Sequence, residues 1–129
     1  MVSNRGKENL YFLSFIFWKG VACDMRESVF QSDLISDLEE MFPHCIILKN
    51  DTSYYQGFPD LTILYYNKWA ALECKRSLKE PYQPNQEYYL EILDELSFAS
   101  MICPENKEAV LYELQRAFQS SRTTRISQR

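Results

Sequence analysis

Three charged side chains lie at the ends of two apolar runs, where a β-sheet usually buries nonpolar residues. Asp60 precedes the run Leu61–Tyr66, while Glu73 and Lys75 end the run that begins at Trp69. Because side chains alternate along a strand, Glu73 and Lys75 point to the same face of it. Burying an acid and an amine is costly unless they are paired or bind a metal. The pattern therefore indicates either a structural ion pair or a metal site.

The two carboxylates are expected to come close together across a hairpin. A turn at Asn67–Lys68 pairs the two runs and brings Asp60 near Glu73. Two neighbouring carboxylates repel each other, and a divalent cation relieves that repulsion. Oxygen ligands and a single histidine, His44, favour Mg²⁺ or Mn²⁺ over zinc. The cysteines are too widely spaced for a zinc site and fit a reducing, intracellular setting.

Two further polar residues interrupt apolar helical stripes. Glu27 shares one helix face with Phe30 and Leu34, and Gln86 shares another with Leu90. Both side chains would then face the sheet. Each also has a simpler explanation, because helices favour an acid in the first turn and polar residues are common there.

Hydrophobic periodicity predicts the elements that hold these residues. The predicted order is a helix over Glu27–Phe42, strands over Cys45–Leu48, Leu61–Tyr66 and Trp69–Lys75, a helix over Gln86–Leu96, a strand over Phe98–Cys103 and a last helix starting at Pro104. This αβββαβα order indicates an α/β fold with a mixed central sheet flanked by helices.

The composition is typical of a single soluble domain. The chain has 129 residues, of which 46% are hydrophobic and 25% charged, and its formal charge is -4. That charge argues mildly against nucleic-acid binding, although the last 16 residues contain four arginines and no acid. The basic tail fits a solvated terminus or nucleic-acid contact equally well. We expect a domain over residues 25–119, an extension over 1–24 and a basic tail over 120–129.

The N-terminal extension contains the most apolar run of the chain, Leu10–Trp18, which is too short to span a bilayer. It could be an added packing element, a dimerisation patch or a non-native sequence, since Glu8–Phe12 resembles part of a tag-protease site. Alternatively, codons for Trp18–Val21 can contain a bacterial ribosome-binding sequence. Met25 would then be the true start, and residues 1–24 a translated leader.

The order and spacing of these motifs resemble the PD-(D/E)XK nuclease superfamily, more narrowly its VRR-NUC branch and the related Holliday-junction resolvases. The resemblance covers roughly residues 27–118. The matching motifs are Glu27 on a helix, Gly57–Leu61 with its Pro-Asp pair, the Leu72–Lys75 strand and Pro84–Gln86 at a helix start. The sequence Leu96–Phe98 stands where that branch usually has a glycine, and residues 1–24 match nothing in the pattern.

The resemblance implies a restriction-endonuclease-like core and a Mg²⁺- or Mn²⁺-dependent DNA endonuclease. Asp60 and Glu73 would hold one or two ions, with the backbone carbonyl of Cys74 as a further ligand. Glu27 would complete the shell directly or through water. A bound cation polarises the scissile phosphate and lowers the pKa of a water molecule.

The resemblance also implies which groups act on the substrate. Lys75 would orient the attacking water or stabilise the charge that develops on the phosphate, and Gln86 would position the nucleophile or the phosphate. Small stand-alone members of this fold often act as dimers on branched, junction or flap DNA. The residues expected to contact nucleic acid are Lys49, Arg76, Lys79, Tyr54, Tyr55 and Tyr82.

Two alternatives remain open. One is a catalytically inactive nuclease-fold module that binds nucleic acid or regulates another protein. The other is a small α/β protein in which Glu73 and Lys75 form only a structural pair. For the nuclease, we expect a cytoplasmic homodimer without membrane association.

Overall fold

A computed structural model of the protein describes residues 26–120. These residues form helix α1 (Glu27–Met41), strands β1 (Ile46–Lys49), β2 (Leu61–Tyr65) and β3 (Lys68–Cys74), helix α2 (Gln86–Leu96), strand β4 (Phe98–Ile102) and helix α3 (Lys107–Gln119). The predicted order of elements and the α/β class are confirmed. The predicted extension over residues 1–24 and most of the basic tail lie outside the described residues.

The four strands of residues 26–120 form one mixed sheet in the order β1-β2-β3-β4. The pairs β1-β2 and β2-β3 are antiparallel, whereas β3 and β4 run parallel. A parallel pair needs a crossover connection, and α2 supplies it. The sheet therefore combines a three-stranded meander with one β-α-β unit, as the predicted mixed sheet requires.

The main core lies between one face of the sheet and helices α1 and α3. Side chains that alternate along β2 and β3 point to this face and are almost fully buried, among them Leu61, Ile63 and Leu72. Leu34 of α1 and Leu114 of α3 pack against them. Burial of each such side chain contributes about 1.5–3 kcal/mol, so this layer holds the strands in place.

Helix α2 covers only half of the opposite face of the sheet. Its residue Leu90 packs with Ala71 of β3 and Ala99 of β4. Beyond α2, the same face continues over β1 and β2. There three large apolar residues remain exposed, namely Ile46 (57%), Leu48 (45%) and Leu64 (37%).

The predicted turn at Asn67–Lys68 is wrong by one residue. Tyr65 pairs with Lys68, so the loop of the hairpin is Tyr66–Asn67. Tyr66 adopts a positive φ of 56°. Lys68 belongs to β3 because it pairs with Tyr65. Its ammonium donates to the carbonyl oxygens of Phe118 and Ser120 at the end of α3, where a cation satisfies free carbonyls.

The last helix does not start at Pro104 but at Lys107. The preceding residues form a turn in which Asn106 Oδ1 accepts a hydrogen bond from the backbone N–H of Cys103 (2.8 Å). The Asn106 N–H donates back to the Cys103 carbonyl (3.2 Å). This reciprocal pair holds the turn and delays the helix, as side-chain to backbone bonds of asparagine commonly do.

Other boundaries differ from the prediction by one residue. Cys45 and Cys103 lie immediately outside β1 and β4, not within them. Lys75 lies just past β3, yet its backbone N–H still donates to the Ile102 carbonyl (2.9 Å). Within residues 26–120, no helix is both long and apolar enough to cross a membrane.

Candidate active site at the end of strand β3

Two charged side chains are buried at the end of β3. Glu73 is 3% exposed and Lys75 is 2% exposed. Their neighbour Ala71 belongs to the cluster beneath α2, whereas Cys74 belongs to the main core. The predicted alternation is therefore confirmed, and both charges lie on the face of the sheet that α2 covers.

Gln86, the first residue of α2, links these two side chains. Its Nε2 donates to Glu73 Oε1 (2.9 Å), and its Oε1 accepts from Lys75 Nζ (2.7 Å). The backbone N–H of Gln83 also donates to Gln86 Oε1 (2.7 Å). These three contacts determine the orientation of the amide, because each of its two polar atoms faces a suitable partner.

Glu73 and Lys75 do not form a direct ion pair within 4 Å. Lys75 instead lies 3.5 Å from Glu80 Oε2 and donates to the carbonyl of Pro81 (3.2 Å). Sequence reasoning missed Glu80, which also accepts hydrogen bonds from the backbone and side chain of Arg76. Residues 76–80 form bends and turns and not a helix, so their spacing gave no signal for this contact.

Asp60 reaches the same end of the sheet from β2. Leu61 pairs with Leu72, so continuing the register by one residue sets Asp60 opposite Glu73. Asp60 Oδ2 accepts a hydrogen bond from the backbone N–H of Cys74 (2.9 Å). The hairpin thus brings the two acids together as predicted, although the turn lies one residue earlier.

Asn50, which sequence reasoning also missed, holds the loop that carries Asp60. Its backbone N–H donates to the Asp60 carbonyl (2.8 Å). Its side-chain Nδ2 donates to the Pro59 carbonyl (2.8 Å) and to Thr62 Oγ1 (2.9 Å). Two of these three bonds fix the Pro59-Asp60 backbone, and a polar residue just after a short strand was the only signal.

Gly57 brings the Asp60 loop against the start of α2. Its φ is +90°, in the left-handed region that favours glycine. A Cβ atom at this position would lie 2.5 Å from the Pro84 carbonyl oxygen and 2.7 Å from Asn85 Cβ. The contact joins the segment that carries Asp60 to the segment that carries Gln86.

The second carboxylate oxygen of Glu73, Oε2, is buried and has no hydrogen-bond partner among residues 26–120. Burial raises the pKa of Glu73 to about 9, and the negative charge of Asp60 adds to that rise. A buried acceptor without a partner is unfavourable. The protein therefore holds this carboxyl in an environment that favours a proton or a cation.

Glu27 approaches the site from the other side of the sheet. It is the first residue of α1, which packs on the main-core face, whereas Gln86 opens α2 on the opposite face. Burial raises the pKa of Glu27, and the charges of Asp60 and Glu80 raise it further. Glu27 and Gln86 therefore approach the end of β3 from opposite faces of the one sheet that both were expected to face.

The carboxylates fit a hard divalent cation by their chemistry, although they do not form a preassembled cage. Within residues 26–120, no group of three or more His, Cys, Asp or Glu side chains is close enough to hold a metal ion. Asp60 and, once its proton is displaced, the unpartnered oxygen of buried Glu73 nevertheless offer two carboxylate oxygen ligands. Glu27 is a third acid of this group, because the charge of Asp60 raises the pKa of Glu27 and the charge of Glu27 raises the pKa of Glu73.

The residues predicted to contact nucleic acid are exposed around this site. Tyr82 is 42% exposed, and Lys75 Nζ lies 5.7 Å from its ring centroid. Lys49 pairs with Leu61 at the end of β1 next to Asp60. The remaining members of the set are Lys79, Tyr54, Tyr55 and Arg76, whose guanidinium is paired with Glu80.

Comparisons of the chain with protein-family models, curated proteins and solved structures found no match.

Proposed function

We propose that this protein is a divalent-metal-dependent DNA endonuclease with a restriction-endonuclease-like core of the PD-(D/E)XK type. The observation that carries the proposal is the buried Glu73 carboxyl, which has one unpartnered oxygen and lies opposite Asp60. Gln86 connects the same carboxyl to Lys75. An acid pair, a lysine and an amide at one end of a sheet are the groups that phosphodiester hydrolysis needs.

The topology supports the proposed fold type. The motif residues lie on the elements that the resemblance implies, with Asp60 before β2, Glu73 on β3 and Gln86 at the start of the crossover helix α2. The β2–β3 hairpin is antiparallel, and β3 pairs with β4 in parallel. This combination places acids from adjacent strands beside the first turn of a helix.

Asp60 and Glu73 would hold the cation, together with the Cys74 carbonyl, and Glu27 would contribute directly or through water. When bound, Mg²⁺ or Mn²⁺ would polarise the scissile phosphate and lower the pKa of a water molecule. The positive charge of the cation would also compensate the negative charges of Asp60 and Glu73.

Lys75 and Gln86 would act on the phosphate and the attacking water. In hydrolysis the water oxygen forms a bond to phosphorus and the P–O ester bond breaks. The leaving oxygen takes up a proton that balances the one lost by the water. The Lys75 ammonium is held by three partners, so it is preorganised to stabilise developing negative charge.

We propose structure-selective cleavage of branched, junction or flap DNA by a cytoplasmic homodimer. The domain is small, and residues 26–120 carry no separate module that could read bases in a groove. A dimer would present two sites to two strands. The exposed apolar residues on β1 and β2 offer a surface for a second copy.

Alanine substitution of Asp60, Glu73 or Lys75 tests the catalytic assignment. Each change should lower Mg²⁺-dependent cleavage of a junction and flap DNA panel by at least about 100-fold. Circular dichroism should show an intact fold. Asp33→Ala and Glu113→Ala, at exposed helical positions, should cleave like the unaltered protein. Full cleavage by the Lys75→Ala protein would contradict the proposed role of this lysine.

A second candidate is an inactive module that binds nucleic acid without cutting it. It is favoured by the engagement of Lys75 with Glu80, Pro81 and Gln86, which could be purely structural. Calorimetric titration with Mn²⁺ discriminates between the two functions. A nuclease should bind Mn²⁺ in a manner that depends on Asp60 and Glu73, whereas an inactive module should show no such binding.

A further inference from the structure

Five aromatic rings form a continuous row beside the candidate active site. Consecutive ring centroids are 5.0, 6.0, 5.4 and 5.5 Å apart. We call this feature the aromatic row. Its residues, in order, are Tyr54, Tyr55, Phe58, Tyr89 and Tyr88. The rings come from two separate segments, the loop before β2 and the first turn of α2.

The outer members of the row are exposed to solvent. Tyr54 is 79% exposed, Tyr55 is 56% exposed and Tyr88 is 60% exposed. Phe58 and Tyr89 are half-buried and anchor the row to the domain. The angles between neighbouring rings range from 49° to 74°, so the rings are tilted or edge to face and not stacked, and ring faces remain free for other planar groups.

The row is carried by the same two segments as the residues assigned to catalysis. Phe58 lies two residues before Asp60, and Tyr88 lies two residues after Gln86. The close approach of Gly57 to Pro84 and Asn85 joins the two segments. A polymer whose backbone is cut at Asp60 and Glu73 would therefore pass the segments that carry these rings.

We infer that the aromatic row binds unpaired nucleotides of a single-stranded arm next to the bond that is cleaved. This inference rests on the proposed nuclease function and specifies its substrate. Duplex DNA hides its base faces in the stack, whereas unpaired bases can stack on exposed rings without sequence preference. Three exposed rings accommodate about three nucleotides, at one base per ring.

The charges beside the row favour bases over phosphates as the contacted groups. Helix α2 contains Glu87, Glu91, Asp94 and Glu95 and no lysine or arginine. A phosphate backbone lying along this helix would be repelled, so the bases must face the rings and the phosphates must face solvent. Binding to the row should therefore depend less on salt than binding through phosphate contacts does.

Binding measurements in EDTA, where no cleavage occurs, test the inference with the full chain. The probes are a fluorescent blunt duplex, the same duplex with a five-nucleotide single-stranded arm, and a ten-nucleotide oligothymidine. The test variant replaces Tyr54, Tyr55 and Tyr88 with alanine. The control variant replaces Tyr66 and Tyr112, which are 80% and 58% exposed at the hairpin turn and on α3, with alanine.

The test variant should lose affinity for the armed duplex and the oligothymidine by about tenfold or more, while its affinity for the blunt duplex changes less than about twofold. Phenylalanine at the same three positions should restore binding, because stacking needs the ring and not the hydroxyl. The control variant should bind like the unaltered protein.

Three results would overturn the inference. The first is an unchanged affinity of the test variant for the armed duplex, and the second is an equal loss of affinity for the armed and blunt duplexes. The third is a change of the test variant's mass in light scattering, which would assign the row to a second copy of the chain.

Cleavage in Mg²⁺ separates this failure from failure of the nuclease proposal. If the test variant binds the arm normally and still cuts DNA, only the aromatic-row inference is wrong. If the unaltered protein binds the arm but never cuts, only the nuclease proposal is wrong.

Discussion

At Glu73 a carboxyl is removed from water without a full set of partners. One of its oxygens accepts from Gln86, and the other has no partner within the described residues. Burial and the charge of Asp60 raise its pKa to about 9. In the metal-free protein the carboxyl therefore carries a proton at neutral pH, and a divalent cation would have to displace that proton.

Replacing Glu73 with glutamine should stabilise the metal-free protein while abolishing cleavage. The amide keeps an acceptor for Gln86 and cannot become a buried charge. In EDTA at pH 8 we expect a gain in the free energy of unfolding on the order of 1–3 kcal/mol. Urea denaturation followed by tryptophan fluorescence measures it, since Trp69 packs against the cluster beneath α2.

The unaltered protein and the Glu73→Gln protein should also differ in how their free energy of unfolding depends on pH. The unfolded Glu73 ionises near its ordinary pKa of 4.5, whereas the folded one ionises near 9. Between these values the folded state binds more protons, so stability of the unaltered protein should fall as pH rises. Glu73→Gln should remove much of that slope, and Glu113→Gln should keep it. A destabilised Glu73→Gln protein would instead support a purely structural role for the Glu73 carboxyl.

At the scale of elements, the site depends on a close contact between a loop and a helix start. Gly57 approaches Pro84 and Asn85 too closely for any side chain, and Asn85 itself has a positive φ of 72°. Asn85 Nδ2 also lies 3.5 Å from the Gln56 carbonyl. Two residues with left-handed backbone therefore face each other where the Asp60 loop meets α2.

Gly57→Ala should separate these two segments. The new methyl group would collide with the Pro84 carbonyl and would require a positive φ, so we expect a loss of about 2–3 kcal/mol in the free energy of unfolding. Cleavage should fall further than stability explains, because Asp60 would move away from Gln86. Gln56→Ala, at the exposed neighbouring position, is the matched control. Unchanged stability of Gly57→Ala would show that the contact is not needed.

At the scale of the whole molecule, the half-covered face of the sheet exposes apolar residues from two adjacent strands. Ile46 and Leu64 lie directly opposite each other on β1 and β2, and Leu48 follows on the same face. Strand β1 is also an edge of the sheet, with Lys49 at its end. An edge strand with free backbone groups can pair with another copy of itself about a twofold axis.

We expect the protein to be a dimer, and we expect charged residues introduced on β1 to convert it to a monomer. Ile46→Lys combined with Leu48→Lys places two cations on this face and should halve the mass measured by light scattering after gel filtration. Leu96→Lys, at a 60% exposed position at the end of α2, should leave the mass unchanged. A monomeric unaltered protein at all concentrations would contradict this expectation, as would a double variant that remains dimeric.

Local patterns were sufficient to predict much of the site. Alternation along Trp69–Cys74 separated Glu73 from Cys74, because successive side chains of any strand point to opposite faces. The short loop between two apolar runs implied a hairpin, and a hairpin brings Asp60 and Glu73 together even when its turn is misplaced by one residue. These features depend on residues close in sequence, so the sequence by itself determined them.

Only the tertiary structure decided how the charges are balanced and which faces are covered. Glu80, not Glu73, pairs with Lys75, and Gln86 connects Glu73 to Lys75. Asn50 and Gly57 acquire their roles through contacts with segments distant in the chain. The contacts of Gln86 and Gly57 arise from the packing of α2 on the sheet, and those of Asn50 from the pairing of β1 with β2, neither of which sequence periodicity specifies. The same packing leaves half of that sheet face exposed, because one helix is too narrow to cover four strands.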